Sequence, residues 1–530
     1  MNARPSAIKL SDMAAGSGII RLLRSFYRYL CRFARYSAVC SFLRRPERTT
    51  DFFRQSSAGR LAAAAPDACT RTLKRLGVFL NRTMDGTLTM WILRWFADRF
   101  DALFLLFVAA HALTPFALYR NPYTIAALAL LTFSACARVA FVRDQSATFS
   151  LKRVDPVFLL YFVSIAASAA YSMLGAGAGA ASMTTAVLYL AAISFTFLIA
   201  NAYFNHRRMM ALIKVIVAAA AIVAVYGILQ YVRGIPIDVT QTDTTTGGQS
   251  VAMGRADSTL GNPNVLAAWL LLAIPFAAAL VFTTKSRLRK CLIALLLIPL
   301  AVCLLLTQSR SGWVGLFVAC VVFIFLTDWR LIPLFAAAGL LSLPFWPGFI
   351  LDRLMIAGSD SSSLYRFTIY AGAFRMAAAN WATGIGIGLE YFKRYINNYV
   401  YFAYETAPVH SHMLPLQIWL ESGIVALLSF LWALMRLVKK GGNYIFMQKR
   451  QIARKAESNQ RFPNADGAAY ETRMVLTACV SAVTGFLAMG CFEYVWFFPR
   501  CMNHFFMIIG VFYCAVNLSA QSRPRGATTG

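Results

Sequence analysis

The chain has 530 residues, of which 59% are hydrophobic and only 14% are charged. Soluble domains are roughly a quarter charged, so this composition excludes an ordinary water-soluble fold and indicates a membrane protein. The formal net charge is +29, which in a membrane protein is typical of cytoplasmic loops rich in Lys and Arg and gives no reason to expect a nucleic-acid partner.

Residues 1–100 form a basic N-terminal region, with eighteen Lys and Arg residues against six Asp and Glu. Within it, the stretch RLLRSFYRYLCRFARYSAVCSFLRR (21–45) repeats arginine every three or four residues, with Leu, Phe and Tyr between them. This spacing is typical of an amphipathic helix in the membrane interface, and a partly disordered cytoplasmic tail is the alternative interpretation. Residues 62–67 are interpreted as a linker.

Apolar stretches of membrane-spanning length recur from residue 102 onward. We therefore expect an all-α polytopic membrane protein with about twelve transmembrane helices in a domain of residues 101–520. The expected spans lie near 102–118, 123–142, 155–175, 183–204, 211–230, 264–283, 289–307, 312–327, 331–351, 413–437, 473–491 and 500–518.

The charges of the connections between these spans alternate along the chain. Connections such as TKSRLRK (284–290), the loop 438–472 and the tail 521–530 are basic, so they are expected in the cytoplasm, with both termini inside. The other connections are expected to face outward, among them the short turn 307–312 and the large loop 352–408 between the ninth and tenth spans.

Positive charges on the outward side run against the usual bias of positive charge towards the cytoplasm, and three arginines are the most interesting among them. Arg310 lies in the turn TQSRSG, which leaves almost no loop between two apolar spans. A guanidinium held at this depth needs an anionic partner, and a phosphate matches its forked donors. Snorkelling to lipid headgroups or a structural salt bridge is the alternative. Arg255 and Arg366 are the other two candidates for binding a ligand.

Three outward segments have signatures of local structure. Pro263 and Asn264 in GNPN predict the start of a helix with Asn264 as its N-cap, an explanation that does not extend to Arg255. Residues 361–381 predict an amphipathic helix along the membrane surface. The glycines of GIGIG (384–388) predict a turn in which the backbone can approach another element or a ligand closely.

His410 and His412 lie directly before the tenth span. Their spacing of two does not suit a metal site on a helix, and no cysteine or carboxylate cluster accompanies them, so we expect no metal. A histidine with a pKa of about 6.5 suits general-base chemistry, and a capping or interface role is the alternative. Glu421 follows on the same predicted helix, where we expect it to pack or to orient a neighbour rather than to act as a second base.

Three stretches resemble the O-antigen ligases and Wzy-type O-antigen polymerases. LTQSRSGWVGL (306–316) is similar to that family's Ser-Arg-Gly-type turn, and GNPNVLAAWLLL (261–272) to its Asn-Pro-Asn helix start. GIGIGLEYF…HSHMLPLQIWLESGIV (384–425) is similar to its Gly-rich segment followed by a histidine motif and Glu-x-Gly. The resemblance extends over roughly residues 90–518.

The resemblance implies a glycosyltransferase that acts on glycans carried by undecaprenyl diphosphate, at the outer face of the bacterial plasma membrane and without a metal or cofactor. The leading hypothesis is a ligase that moves the glycan to a glycan, lipid or polymer acceptor. A polymerase that extends the lipid-linked repeat units is the close alternative. A non-enzymatic carrier or flippase for the lipid-linked sugar is the alternative from another class.

The resemblance also implies roles for single residues. His410 matches the family's catalytic base, because His410-Ser411-x-x-Leu414 follows its motif. The residues implied in binding the diphosphate are Arg255, Arg310 and Arg366. The residues expected to support them are Gln308, Asn264 and Glu421.

Overall fold

The structure is a computed structural model that describes residues 56–142, 148–174, 179–203, 205–235, 254–355, 361–400, 408–457 and 465–521, with a few isolated positions before residue 44. These residues are largely helical, and no strand occurs among them. The amphipathic helix predicted over 21–45 lies almost entirely outside the described residues.

Sixteen α-helices follow one another in this described part of the chain, and three-residue 3₁₀ turns join several of them. The first eight are α1 (Ser57–Thr83), α2 (Leu88–Leu113), α3 (Asn121–Phe141), α4 (Pro156–Leu174), α5 (Ala180–Ala202), α6 (His206–Val232), α7 (Pro263–Thr283) and α8 (Arg287–Leu306). The second eight are α9 (Arg310–Asp328), α10 (Ile332–Ser342), α11 (Gly348–Met355), α12 (Ser361–Ala379), α13 (Leu389–Ile396), α14 (Leu414–Glu457), α15 (Ala465–Gly490) and α16 (Pro499–Gln521).

Ten helical segments of the described residues are long and apolar enough to cross a membrane, which confirms the all-α polytopic membrane fold. The predicted number of about twelve is not confirmed. The expected span 102–118 falls in α2, which also carries four charged side chains between residues 94 and 101. The expected span 331–351 falls partly in α10, a helix of 11 residues that follows α9 after a single 3₁₀ turn.

The centre of the bundle is formed by α7, α15 and α16, which are the most buried of the ten candidate spans, whereas α8 is the least buried of them. α9 and α15 pack with their backbones in close approach. A Cβ atom on Gly315 would lie 2.8 Å from the carbonyl oxygen of Gly485, and one on Gly485 would lie 2.6 Å from that of Gly315. Small residues allow this approach in lipid, and the contact fixes α9 against the helix that leads to residues 491–498.

Two predicted connections are helical in the structure, and the prediction of a linker over 62–67 is wrong. Residues 62–67 lie inside α1, because a run of alanines favours helix strongly enough to accommodate Pro66. The loop predicted over 438–472 is mainly the continuation of α14 to Glu457 and the beginning of α15 at Ala465. Lys, Arg, Gln and Ala are good helix formers in the polar part of such a sequence.

α14 is interrupted within its first turns. Gly423 has φ 77° and ψ 177°, which breaks the helix into two parts. The backbone on each side of the break pairs with residues that precede it in the chain. The Ile424 N–H donates to the Trp381 carbonyl (2.9 Å), and the Ile385 N–H donates to the Leu420 carbonyl (2.7 Å). The break therefore leaves these polar groups paired within the protein, as a low-dielectric environment requires.

The segment GIGIG (384–388) docks against this break. Gly384, Gly386 and Gly388 all have positive φ, a conformation that glycine adopts without steric cost. A Cβ atom on Gly384 would lie 2.6 Å from the Leu420 carbonyl oxygen, and one on Gly388 would lie 2.7 Å from the Ser182 hydroxyl. The predicted close approach of this segment to another element is confirmed.

The helix predicted over 361–381 is present as α12. It buries Ile369, Ala373 and Met376 on one side and packs against α14. Its position along the membrane surface stays a prediction. α12 also carries Arg366, and in this way brings one of the predicted site residues to the end of the bundle where α7 and α9 begin.

Candidate functional site

Arg255 is held by the turn between α8 and α9. Its Nε donates to the Thr307 carbonyl oxygen (2.8 Å). Gln308, which has a positive φ of 52°, donates from Nε2 to the Gly254 carbonyl oxygen (2.6 Å). The turn TQSRSG therefore positions the loop that carries Arg255, and Arg310 within this turn is the first residue of α9.

The start of α7 differs from the prediction, because Asn262 and not Asn264 is the N-cap. The Asn262 Oδ1 accepts hydrogen bonds from the N–H groups of Asn264 (2.9 Å) and Val265 (3.3 Å). Asn264 already has helical backbone geometry, so its side chain is available for other contacts. Its Oδ1 accepts from Arg255 Nη2 (3.3 Å), and its Nδ2 donates to Glu493 Oε2 (2.8 Å).

Glu493 is the carboxylate around which the predicted residues meet. It lies in the loop between α15 and α16 and is only 4% exposed. Arg366 Nη2 donates to its Oε2 (2.9 Å), the same oxygen that accepts from Asn264, and His412 Nδ1 lies 3.1 Å from its Oε1. One carboxylate thus joins α7, α12 and the histidine segment before α14.

The charges at this end of the bundle act strongly on one another. Burial, together with the positive charges of Arg353, Arg366 and Arg310, lowers the pKa of Arg255 to about 10, and Glu493 opposes the shift. Burial alone would raise the pKa of Glu493, but the positive charge of Arg366 together with the contributions of His412 and His410 more than offsets it, and the pKa of that carboxyl is held well below its usual value. Glu493 is therefore ionised, and the site has a positive potential.

The two histidines have different hydrogen-bonding roles. Their ring centroids lie 4.3 Å apart, and the His412 backbone N–H donates to His410 Nδ1 (3.2 Å). The neutral His410 ring therefore carries its proton on Nε2. A carboxylate only accepts, so His412 donates from Nδ1 to Glu493, and its basic nitrogen is Nε2. Burial and the neighbouring charge of His412 hold the pKa of His410 well below its usual value, so that this ring is neutral at pH 7.

A small cavity adjoins these groups. Its volume is about 30 Å³, and its lining includes His410, Asn264 and Glu493. The aromatic rings of Tyr494 and Phe497 lie 5.3 Å from the His410 ring and form part of the same lining. His410 therefore faces the space beside the carboxylate, at the edge of an aromatic segment.

Glu421 positions the histidine segment from the other side. Its Oε1 accepts from Gln417 Nε2 (3.0 Å), and the Gln417 Oε1 accepts the Ser411 N–H (2.8 Å). The Tyr189 hydroxyl donates to Glu421 Oε2 (2.8 Å) and is also hydrogen-bonded to the Tyr494 hydroxyl. These contacts agree with the predicted orienting role of Glu421.

The structure brings Arg255, Arg366, Asn264 and His412 into one hydrogen-bonded group, with His410 beside it. Arg310 contributes through its charge.

Glu493 and Arg353 are not among the residues predicted from the sequence. A signal for Glu493 exists in CFEYVWFFPR (491–500), where a single acidic residue separates the last two apolar spans. Arg353 lies just beyond the expected span 331–351, where an arginine is usually interpreted as anchoring the end of a helix at the membrane interface.

A metal site has no obvious place in this arrangement. Among the residues that the structure describes, no three or more His, Cys, Asp or Glu side chains are grouped so that they could hold a metal ion. Metal independence stays a prediction.

Residues 295–431 match the family model Wzy_C, described as O-antigen ligase. The match confirms the predicted resemblance to the O-antigen ligase and Wzy-type family, and it supports an O-antigen ligase-type function and a glycosyltransferase-like enzyme. It includes Arg310, Arg366 and both histidines, whereas Arg255 and Glu493 lie outside it. No curated protein matches the chain.

Proposed function

We propose that the chain is a glycan ligase-type glycosyltransferase. It moves an oligo- or polysaccharide from undecaprenyl diphosphate to an acceptor hydroxyl at the outer face of the bacterial plasma membrane. The donor is the lipid-linked glycan, the acceptor is a glycan, lipid or polymer, and membrane lipids surround the bundle. The reaction as proposed needs neither a metal nor a nucleic acid.

The observation that carries this proposal is the balance of charge around Arg255. Among the described residues, the charges that shift its pKa are those of Arg353, Arg366 and Arg310, against the carboxylate of Glu493. A diphosphate is a multiply charged anion that would neutralise such a site, and guanidinium groups match its oxygens in geometry. The N-termini of α7 and α9 lie at the same end and add the positive ends of two helix dipoles.

The chemistry that follows is a single displacement. The acceptor hydroxyl loses its proton to a histidine as its oxygen attacks the anomeric carbon of the donor sugar. The bond between that carbon and the diphosphate oxygen breaks, and its electron pair leaves with the diphosphate. Guanidinium groups fixed in advance stabilise the developing negative charge in a buried site, where such interactions are strongest. Attack opposite to the leaving group inverts the configuration at the anomeric carbon.

One of the two histidines is the general base in this proposal, and the hydrogen bonds favour His412 for that role. The resemblance assigns this role to His410, which stays a prediction. In the structure the neutral His410 has its proton on Nε2, because its Nδ1 accepts the His412 N–H. His412 has the arrangement of a base oriented by a carboxylate, with Nδ1 bound to Glu493 and Nε2 basic. The carboxylate would also stabilise the imidazolium that forms during transfer.

Complementation of a deletion strain tests the proposal. We expect Arg310→Ala to reduce surface glycan about 100-fold or more, because removing one preformed charge from a transition state typically costs that much. His412→Gln should have a similar or larger effect, since it removes the base. The measurement is the amount of glycan attached to the acceptor, normalised to the amount of inserted protein.

Matched variants at the opposite end of the bundle provide the controls. Arg207 is exposed, and His206 pairs with Glu471, so alanine at either position should leave glycan transfer unchanged. His410→Gln keeps a donor at the position of Nε2 and should retain substantial transfer. Full activity of Arg310→Ala would contradict the proposal. Loss of glycan transfer in His410→Gln but not in His412→Gln would show that His410 is the base.

The alternatives give different products in the same deletion strain. Loss of a ligase leaves long lipid-linked chains that are not attached to the acceptor, whereas loss of a polymerase leaves single lipid-linked repeats. Loss of a carrier or flippase leaves the precursor on the inner face. Accumulation of single repeats or of inner-face precursor would replace the ligase assignment by the corresponding alternative.

A further inference from the structure

A second and larger cavity lies next to the candidate site. Its volume is about 320 Å³, at the lower end of the range for small-molecule sites. The exposed side chains at its mouth include Arg120 and Asn121. The buried side chains at its inner end include Tyr189, Glu421, Tyr494 and Trp496. We propose that this cavity binds a sugar unit of the acceptor, an inference that rests on the proposed glycosyltransferase function.

The lining has the two properties that a sugar requires. Rings of Trp496, Phe497 and Phe498 offer flat apolar surfaces on which the C–H face of a pyranose can pack. The carboxylate of Glu421 and the amide of Asn121 offer polar atoms for its hydroxyl groups. Each carboxylate oxygen has more than one acceptor position, so Glu421 can receive a sugar hydroxyl while it holds Gln417 and Tyr189.

Two other occupants fit less well. A polyprenyl chain would leave Glu421, Asn121 and Arg120 facing hydrocarbon, which is costly for each polar group. A diphosphate is matched better by the several arginines beside the smaller cavity than by this lining, to which Arg120 contributes one guanidinium group.

The position of the cavity matches the acceptor rather than the donor. The segment 494–498 separates it from the smaller cavity, and Tyr494, Phe497 and Phe498 line both. The smaller cavity contains His410 and Glu493, next to the arginines. A sugar in the larger cavity therefore lies across the segment 494–498 from the arginines that would hold the diphosphate, as is expected of the acceptor rather than of the donor.

A kinetic experiment on the full chain in lipid vesicles separates the two substrates. The donor is the lipid-linked glycan extracted from the deletion strain, and the acceptor is the unmodified envelope fraction of the same strain. We expect Asn121→Ala to raise the KM for the acceptor about tenfold, the effect of losing one to two hydrogen bonds, and to leave the KM for the donor unchanged. Leu188 is a buried residue in the wall of the cavity. The larger side chain in Leu188→Trp should fill part of the cavity and raise the KM for the acceptor further.

Leu118→Ala is the matched control, because Leu118 is exposed in the same connection but does not line the cavity. It should leave both KM values unchanged. A rise in the donor KM in Asn121→Ala would overturn the acceptor assignment in favour of a donor site. Unchanged values in both Asn121→Ala and Leu188→Trp would remove the cavity from substrate binding altogether, while loss of transfer in Arg310→Ala would still support the proposed function.

Discussion

Glu493 accepts hydrogen bonds from Asn264, Arg366 and His412, so that three elements of the site depend on one buried carboxylate. Breaking a buried ion pair by removing one partner is strongly destabilising, because the remaining charge is left without compensation. At the scale of single residues, Glu493 is therefore expected to matter both for the stability of this end of the bundle and for the orientation of His412.

The pH dependence of Glu493→Gln tests this role. The folded pKa of Glu493 is lowered below the value of about 4.3 for an unfolded glutamate. The ionised carboxylate therefore contributes stability that is complete above about pH 4.3 and is lost as the pH falls through the lower folded pKa. We expect Glu493→Gln to cost about 3 kcal/mol at pH 7, seen as a lower apparent Tm in detergent.

The difference in Tm between wild type and Glu493→Gln should shrink as the pH falls below about 4. Glu390→Gln is the control, because Glu390 is an exposed carboxylate, and it should have little effect at any pH. Equal Tm values for wild type and Glu493→Gln at pH 7 would contradict the role given to this carboxylate.

Part of the site was predictable from the sequence, for a physical reason. Positive charge on the outward side is costly for topology, so Arg255, Arg310 and Arg366 stood out without any knowledge of the fold. Their carboxylate partner, Glu493, has a weaker signal, since a single acidic residue between the last two apolar spans does not reveal which side chains it contacts. Its role depends on a tertiary contact across more than 80 residues of chain, with His412.

At the scale of elements, the break in α14 positions the histidines relative to the rest of the helix. Gly423→Ala should be strongly destabilising, because a Cβ atom would lie 2.0 Å from the Ala382 carbonyl oxygen and the backbone conformation itself costs about 1–3 kcal/mol for other residues. We expect a lower apparent Tm and a marked loss of glycan transfer, measured in detergent and in the complemented strain.

Gly467→Ala is the matched control for this variant, since Gly467 lies in α15 with nothing within 4 Å of an added Cβ atom. It should fold and transfer glycan normally. A Gly423→Ala protein with wild-type Tm would show that the segment 381–388 can move aside. The break itself was not predictable from local sequence, because a Glu-Ser-Gly stretch inside an apolar helix is compatible with continuous helix until its partners are known.

At the scale of the whole molecule, hydropathy was enough for the fold class but not for the number of spans. Helices such as α7 and α16 are long, apolar and buried, so their existence follows from composition alone. α2 and α10 were harder to predict: α2 joins a charged part to an apolar part, and α10 is short. Length and hydropathy cannot say whether such a helix crosses the membrane or ends within it.

Cysteine labelling in intact cells tests the predicted orientation. Cys491 is exposed at the end of α15, next to the candidate site, and Ser286 is exposed in the basic connection between α7 and α8. A variant that retains only Cys491 should react with a membrane-impermeant maleimide from outside. A Ser286→Cys variant without other cysteines should react only after permeabilisation. The reverse pattern would place the candidate site on the cytoplasmic face.

The late position of Glu493 in the chain also has a consequence for biosynthesis. Trp381 and Ile385, which pair with the break in α14, are both made before Gly423, so that helix can take its final form as it emerges. The arginines and histidines of the site, in contrast, all precede their carboxylate. A ribosome that has finished α14 has therefore released a cluster of positive charges without its counterion. The site becomes complete only when the last two membrane helices have been inserted.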